Sequence, residues 1–370
     1  MDKNILKKVP LAIVALTASA SLYAGMDMDS RVSQLETQMK QARTTNEMGS
    51  AGANTAVARP DKDLTGFYIG AGFVYQQAKA GGTEYAYTDD SANTYPIKGD
   101  MSDINYKWDW GLNIMAGYNM PHDGMDLRLG YHYFDQSSNN STSSGLNGTV
   151  VPLRSSSSIR TGTAGSFTAC DKATSDYSLD MNLLDLQLGR DYFVSKMLSF
   201  RPYFGLVSDW IDQSQKTQYT GGSQLGSNTV EVNDKSNFWG MGPELGLGSK
   251  WFIGQGFSFF SDANASLLYG RFGVRHKEKY TDDVNQELIV NGNVHRVVPT
   301  AQLVMGLGYD IMLDDDSHHF GIRLGYNVEY YFFQNQMLKV DYELGNNPQF
   351  ERTNESLGIH GITLDVVWSF

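Results

Sequence analysis

Eleven charged residues stand at alternate positions within or beside apolar runs: Lys107, Asp109, Arg128, Arg201, Asp209, Glu244, Lys250, Asp262, Asp310, Arg323 and Glu329. Gathered on one wet surface, charges of both signs make a constriction that sorts small solutes by size and charge. Paired with one another, the same groups would instead fill a narrow interior. Chemistry on bonds has little support. No His-Glu-x-x-His, Gly-x-Ser-x-Gly or P-loop occurs. A lipid-cleaving site would need Ser, His and a polar orienter on one lipid-facing patch. Only His360 alternates onto such a face, with Ser208 and Ser261 loosely placed nearby. His318 and His319 beside Asp314, Asp315 and Asp316 read as a solvated charged turn. No enzyme activity, metal or cofactor is therefore expected.

The elements that must position these charges alternate with period two. Ile104, Tyr106, Trp108, Trp110, Leu112, Ile114, Ala116 and Tyr118 line one face of a fifteen-residue run, 104–118, with Lys107, Asp109 and Asn113 on the other. A helix would mix the two sets. The pattern recurs at Phe67–Tyr75, Leu127–Tyr133, Leu184–Leu188, Phe200–Trp210, Trp239–Trp251, Phe257–Tyr269, Ala301–Tyr309, Phe320–Phe332 and Ile362–Phe370. All 6 Trp lie on the apolar faces, as in the aromatic girdles of a membrane barrel. Residues 120–124, 194–197, 253–256 and 313–318 are short connections; 79–102, 136–176, 213–234, 274–293 and 334–354 are long and polar. Strict alternation of long and short predicts an all-β, transmembrane, antiparallel up-and-down barrel of ten strands, twelve if a long loop conceals a hairpin. Closure removes the edges that lipid could not hydrogen-bond.

Composition agrees. The 370 residues carry a net charge of −12, 38 Gly, 21 Tyr and 18 Phe. An acidic chain is a poor partner for nucleic acid, and no run is long and apolar enough for a membrane helix. The single Cys170 excludes a disulfide framework. It reads as a free surface thiol, with crosslinking to another envelope protein as the alternative.

The ends carry addresses. Lys3, Lys7 and Lys8 precede an apolar Leu11–Leu16 core and the small Ala24, so residues 1–24 read as a secretory signal peptide. Within 25–62, Val32, Leu35, Met39 and Ala42 have heptad spacing. They make either a short coiled-coil tag for a homotrimer or a lone periplasmic amphipathic helix, followed by a flexible linker. Residues 63–370 form the barrel. The closing strand ends on Trp368 and Phe370, a terminal aromatic of the kind that outer-membrane assembly machinery reads.

Several blocks carry a family likeness: Lys107–Gly111 with Gly117–Gly124, Leu188–Phe193, Leu198–Gly205, Phe238–Pro243, Ala265–Phe272, and Asn335-Gln336 before Gly361–Leu364. Through them the sequence resembles the Legionella major outer membrane protein-like family of pore-forming proteins, with relatives in chlamydia-related bacteria. The resemblance implies a bacterial outer-membrane location and passive diffusion of small hydrophilic solutes through a polar lumen. With Cys170 alone, the chain departs from cysteine-rich members and their disulfide-linked networks. A non-conducting structural or adhesive barrel, working through its outer loops, is the alternative.

Overall fold

The computed structural model describes residues 66–89, 98–120, 125–144, 149–156, 169–195, 197–281, 287–313, 318–344 and 347–370. The expected signal peptide, helix and linker lie outside the described residues. Ten long strands are present among them: β1 Gly66–Ala80, β2 Asp109–Asn119, β3 Met125–Ser143, β4 Lys172–Arg190, β5 Leu198–Thr220, β6 Thr229–Gly254, β7 Phe257–Thr281, β8 Val294–Leu313, β9 His318–Asn335 and β10 Glu355–Ser369. Each pairs antiparallel with its chain neighbours, and β1 pairs with β10 to close the barrel. The expected ten-strand topology is correct. The additional strands are short: a three-stranded sheet of Ala86–Asp89, Met101–Ser102 and Thr149–Pro152, a hairpin of Leu338–Leu344 with Asn347–Arg352, and single strands Tyr192–Ser195 and Glu287–Asn291.

The two ends of the barrel follow different rules. Between the girdles the apolar side chains point outward. On β6 these are Trp239, Met241, Leu245, Leu247 and Trp251, all exposed, while Gly240 and Glu244 face in. Trp239 and Trp251 stand twelve residues apart, roughly 40 Å of strand, which a tilt of about 45° reduces to the height of a bilayer core. Beyond Trp239 the pattern inverts. Val230, Val232 and Phe238 are buried inside, and Glu231, Asn233 and Lys235 point outward. This inversion explains where the sequence reading fell short. Residues 213–234 and 274–293 were expected as polar loops, yet β5, β6 and β7 run through most of them. Their apolar residues face a water-excluded interior, and only their polar side meets solvent.

The short turns and the last residue share one end, where Phe370 N–H donates to Phe67 O at 3.0 Å. By the general rule for bacterial barrels this end is periplasmic. The outer half of the lumen is filled. Tyr85, Ala86, Ile104, Tyr106 and Val150, from the inward-folded outer segments, pack with Phe134, Tyr177, Met181, Ile211, Phe272 and Ile359 of the wall in one buried apolar cluster. Gln136 completes the ladder where β1 outruns β2. Its side-chain amide accepts from Ala78 N–H (2.7 Å) and donates to Ala78 O (3.0 Å).

In the inner half, tyrosine rings lie across glycines of the neighbouring strand. Tyr68 covers Gly117 and Tyr203 covers Gly246, in register. A Cβ at either glycine would sit 2.2 Å from the ring. The Tyr203 hydroxyl then donates to Asp262 Oδ1 at 2.7 Å. Gly246→Val is expected to displace that ring and destabilise the barrel by about 1–3 kcal/mol through overpacking. Urea titration of the vesicle-inserted protein, followed by gel mobility, measures this, and an unshifted midpoint would remove the glycine's role.

Candidate functional site

Strand pleating delivers the inward charges to a cavity of about 410 Å³ enclosed by the membrane-spanning strands. Nine of the eleven expected lumen residues line it: Arg128, Arg201, Asp209, Glu244, Lys250, Asp262, Asp310, Arg323 and Glu329. Lys107 and Asp109 do not. Lys107 precedes β2 at the outer rim, where its ammonium donates to Asn139 Oδ1 at 2.7 Å. Asp109 is the outermost residue of β2. Asp109 keeps the inward parity of the strand but lies above the cavity, because the outer half is packed shut; Lys107 is exposed on the outside beside Asn139, and it is Tyr106 before it that turns inward.

The wall also supplies Asp126, Asp185, Asp191 and Asp365. Asp126 and Asp185 already alternate with leucines in the sequence, so parity could have found them. The lining then holds nine carboxylates against four cations. Several are tied together. Arg201 makes a two-pronged contact with Asp126, Nε to Oδ1 at 2.9 Å and Nη2 to Oδ2 at 2.7 Å. Nearer the periplasmic end, Lys250 Nζ is 2.6 Å from Asp310 Oδ2, and His319 Nε2 is 2.9 Å from Asp310 Oδ1. Arg323 stands in register with Asp365. At the head of the cavity Asp209, Glu244 and Glu329 are almost fully buried. Pairing holds most cations against the wall and leaves the carboxylates in excess.

A second charged cluster closes the outer half, and sequence reasoning missed it because its members fall in segments read as loops. Arg154 follows the short strand Thr149–Pro152 and is 1 % exposed. Its Nη1 lies 2.7 Å from Asp234 Oδ2 on β6, and its Nε donates to Glu84 O at 3.3 Å. Asp234 is in register with His276 on β7. The imidazole bridges two carboxylates, Nδ1 to Asp234 Oδ1 at 2.5 Å and Nε2 to Glu278 Oε1 at 2.8 Å. Glu278 also accepts from Ser156 N–H at 2.9 Å. With both carboxyls ionised, both ring nitrogens donate and the ring is an imidazolium. Burial opposes that charge, but the hydrogen bonds and charges of Asp234 and Glu278 outweigh it and raise the His276 pKa to about 9. Burial raises the Glu278 pKa above its ordinary value. Asp234 lies five residues beyond Trp239, outside the lipid belt.

Cys170 is not a surface thiol. It is 1 % exposed, packs in the same outer cluster, and burial pushes its pKa up to about 12. An inaccessible, protonated thiol is inert, so crosslinking to envelope partners has no reactive group here. His360 faces outward as expected, but its Nδ1 contacts the Tyr326 hydroxyl at 2.8 Å, and among the described residues no serine bonds it.

A closed antiparallel barrel with an apolar exterior, aromatic girdles and a charged interior is an outer-membrane β-barrel. The chain belongs to the family of the Legionella pneumophila major outer membrane protein precursor, whose family model matches residues 60–370. Its place is the bacterial outer membrane. No curated protein matches the chain. Among solved structures it is similar to the Escherichia coli outer membrane protease OmpT, at 10% identity and TM-score 0.40, covering 83% of this chain and 97% of that one. It is similar also to the Pseudomonas putida toluene transporter TodX, at 8% identity and TM-score 0.23, covering 82% and 89%. A Pseudomonas aeruginosa FadL homologue follows at 6% identity and TM-score 0.25, covering 84% and 90%. None of these likenesses is close enough to speak to activity.

Proposed function

We propose that this protein is a porin that passes small hydrophilic solutes by diffusion, with no reaction and no cofactor. The observation that carries the reading is the charged cavity within the lipid belt: nine carboxylates and four cations around about 410 Å³. A barrel held together by its interior alone has no need of so many wall-bound charges in excess of one sign. The eleven residues named from the sequence are then divided by place. Nine set the electrostatics of the passage, and Lys107 and Asp109 belong to its outer approach. Carboxylate excess favours cations over anions. The filled outer half makes the present arrangement a shut one, and the inward-folded outer segments, with the strand Thr149–Pro152 and Arg154 among them, are the part whose withdrawal would open it.

Reconstitution in a planar lipid bilayer tests this. Conductance steps that scale with salt are expected, with a reversal potential in a salt gradient that marks cation preference. Glu244→Lys should reduce that preference and Arg128→Glu should increase it. A folded barrel that never conducts, even with the outer strap released, would overturn the porin reading. The same packed outer core that shuts the passage favours the second reading, a non-conducting barrel acting through its outer surface. Trp368 and Phe370 serve in either case as the strand end offered to the assembly machinery. A trimer joined through the expected helix remains part of the proposal, to be read from the mass of the detergent-solubilised protein.

A further inference from the structure

Immediately beyond the Trp239 and Tyr269 girdle, the outward face of β6 and β7 turns basic. Arg271 is in register with Trp239, and four residues further along β7 Arg275 is in register with Lys235 of β6. All three side chains point outward and are exposed. Among the described residues none of the three forms an ion pair or a side-chain hydrogen bond, whereas their neighbours Lys216 and Lys277 are matched to Glu231 and Glu287 at 3.0 and 3.1 Å. Two cations directly opposite on adjacent strands repel each other. A chain with net charge −12 nevertheless places such a pair, with a third cation on the same face, where lipid headgroups begin. On the adjoining strands the sign reverses: Asp135, Asp180 and Asp212 stand in register across β3, β4 and β5, outward and exposed, and the row ends against Asn237 of β6. The basic arc is therefore local.

We propose that Lys235, Arg271 and Arg275 form a binding surface for the phosphate groups of a phosphorylated glycolipid in the outer leaflet. Three features fit that occupant. The cations lie level with headgroups, next to aromatic residues that bracket the acyl boundary. A guanidinium presents a fork of donors that matches phosphate oxygens. An anion between Lys235 and Arg275 turns their repulsion into two attractions. The surface does not depend on the porin reading, because it lies outside the barrel.

Native mass spectrometry of the full chain in detergent, titrated with bisphosphorylated lipid A, tests the assignment. The wild type is expected to retain the lipid. The triple variant Lys235→Gln, Arg271→Gln, Arg275→Gln should bind about a hundredfold more weakly, from roughly fivefold per basic residue at an anionic surface. Dephosphorylated lipid A should bind the wild type no better than the variant. Millimolar inorganic phosphate should not displace the lipid, since the acyl chains hold it against the belt. Asp135→Asn with Asp180→Asn serves as a control on the adjoining acidic row and should leave retention unreduced. Heat-modifiable migration confirms that each variant is folded. Equal binding by the triple variant, or indifference to the phosphates, would overturn the proposal. So would a lipid-free oligomer that the triple variant dissociates, because the basic arc of one copy would then meet the acidic arc of another.

Discussion

Arg154→Ala is expected to release the outer closure and raise conductance. Arg154 supplies the charged tie of the inward-folded segment 149–156, with Asp234 on β6 and the carbonyl of Glu84 as its partners, beside the Ser156 N–H bond to Glu278 on β7. Removing the guanidinium leaves Asp234 buried beside His276 with one counter-charge gone. Breaking a buried pair in this way costs about 3–5 kcal/mol. The loss falls on the segment and its contacts, because the barrel ladder runs independently of them. The wild type should show rare or small steps in a planar bilayer, and the variant frequent, larger ones at unchanged gel mobility. Replacing the pair by apolar groups separates charge from packing. Arg154→Met with Asp234→Leu fills similar space without a stranded charge, so it should recover most of the closure. A variant that folds and conducts as the wild type does would show that the strap does not control the passage.

The second large effect is on pH. His276 holds its proton more tightly in the folded protein, with a pKa of about 9 against 6.5 for the free group. A group whose pKa rises on folding stabilises the folded form fully below its unfolded value, and that contribution is lost as pH climbs through the folded value. The window is therefore pH 6.5 to 9, and closure weakens on the alkaline side. The amount is roughly 3 kcal/mol at about 1.4 kcal/mol for each tenfold change in proton affinity. Glu278 acts in the same sense, since burial raises its pKa too. The groups facing His276 are Asp234, Glu278 and, through Asp234, Arg154, with the Phe350 ring 4.9 Å away. Open probability should rise reversibly between pH 7 and 10, and His276→Gln should flatten that rise. An identical alkaline response in His276→Gln would assign the effect elsewhere.

The membrane-spanning part was legible because lipid enforces a simple rule. With apolar residues outward and polar residues inward at period two, Trp239, Leu245 and Trp251 reveal a strand face without any knowledge of its partners. The inward charges follow by parity, which is why nine of the thirteen Asp, Glu, Lys and Arg residues that line the cavity could be named in advance. Parity says nothing about height along the strand. Asp109 has the right face and the wrong level, and Lys107 stands outside where Ile104 and Tyr106 turn in to the plug, which is built from residues distant in sequence. The segments 213–234 and 274–293 failed for a related reason. Val230, Val232 and Val274 alternate there, but in the opposite sense, and the polar partners between them make the stretch read as a loop.

The sequence by itself determined the class of protein, its ten strands, its outward belt and the character of its interior charges. These depend on the contrast between lipid and water, which acts on each residue according to its own position in the pleat. Only the tertiary structure decided that the outer half is packed shut and that Arg154, Asp234, His276 and Glu278 converge on one buried cluster. It alone placed Lys235 beside Arg275 at the headgroup level. Each of these depends on strand register and on segments folding back across the barrel. Such contacts join residues as far apart as Ser156 and Glu278, and no local pattern along the chain encodes them.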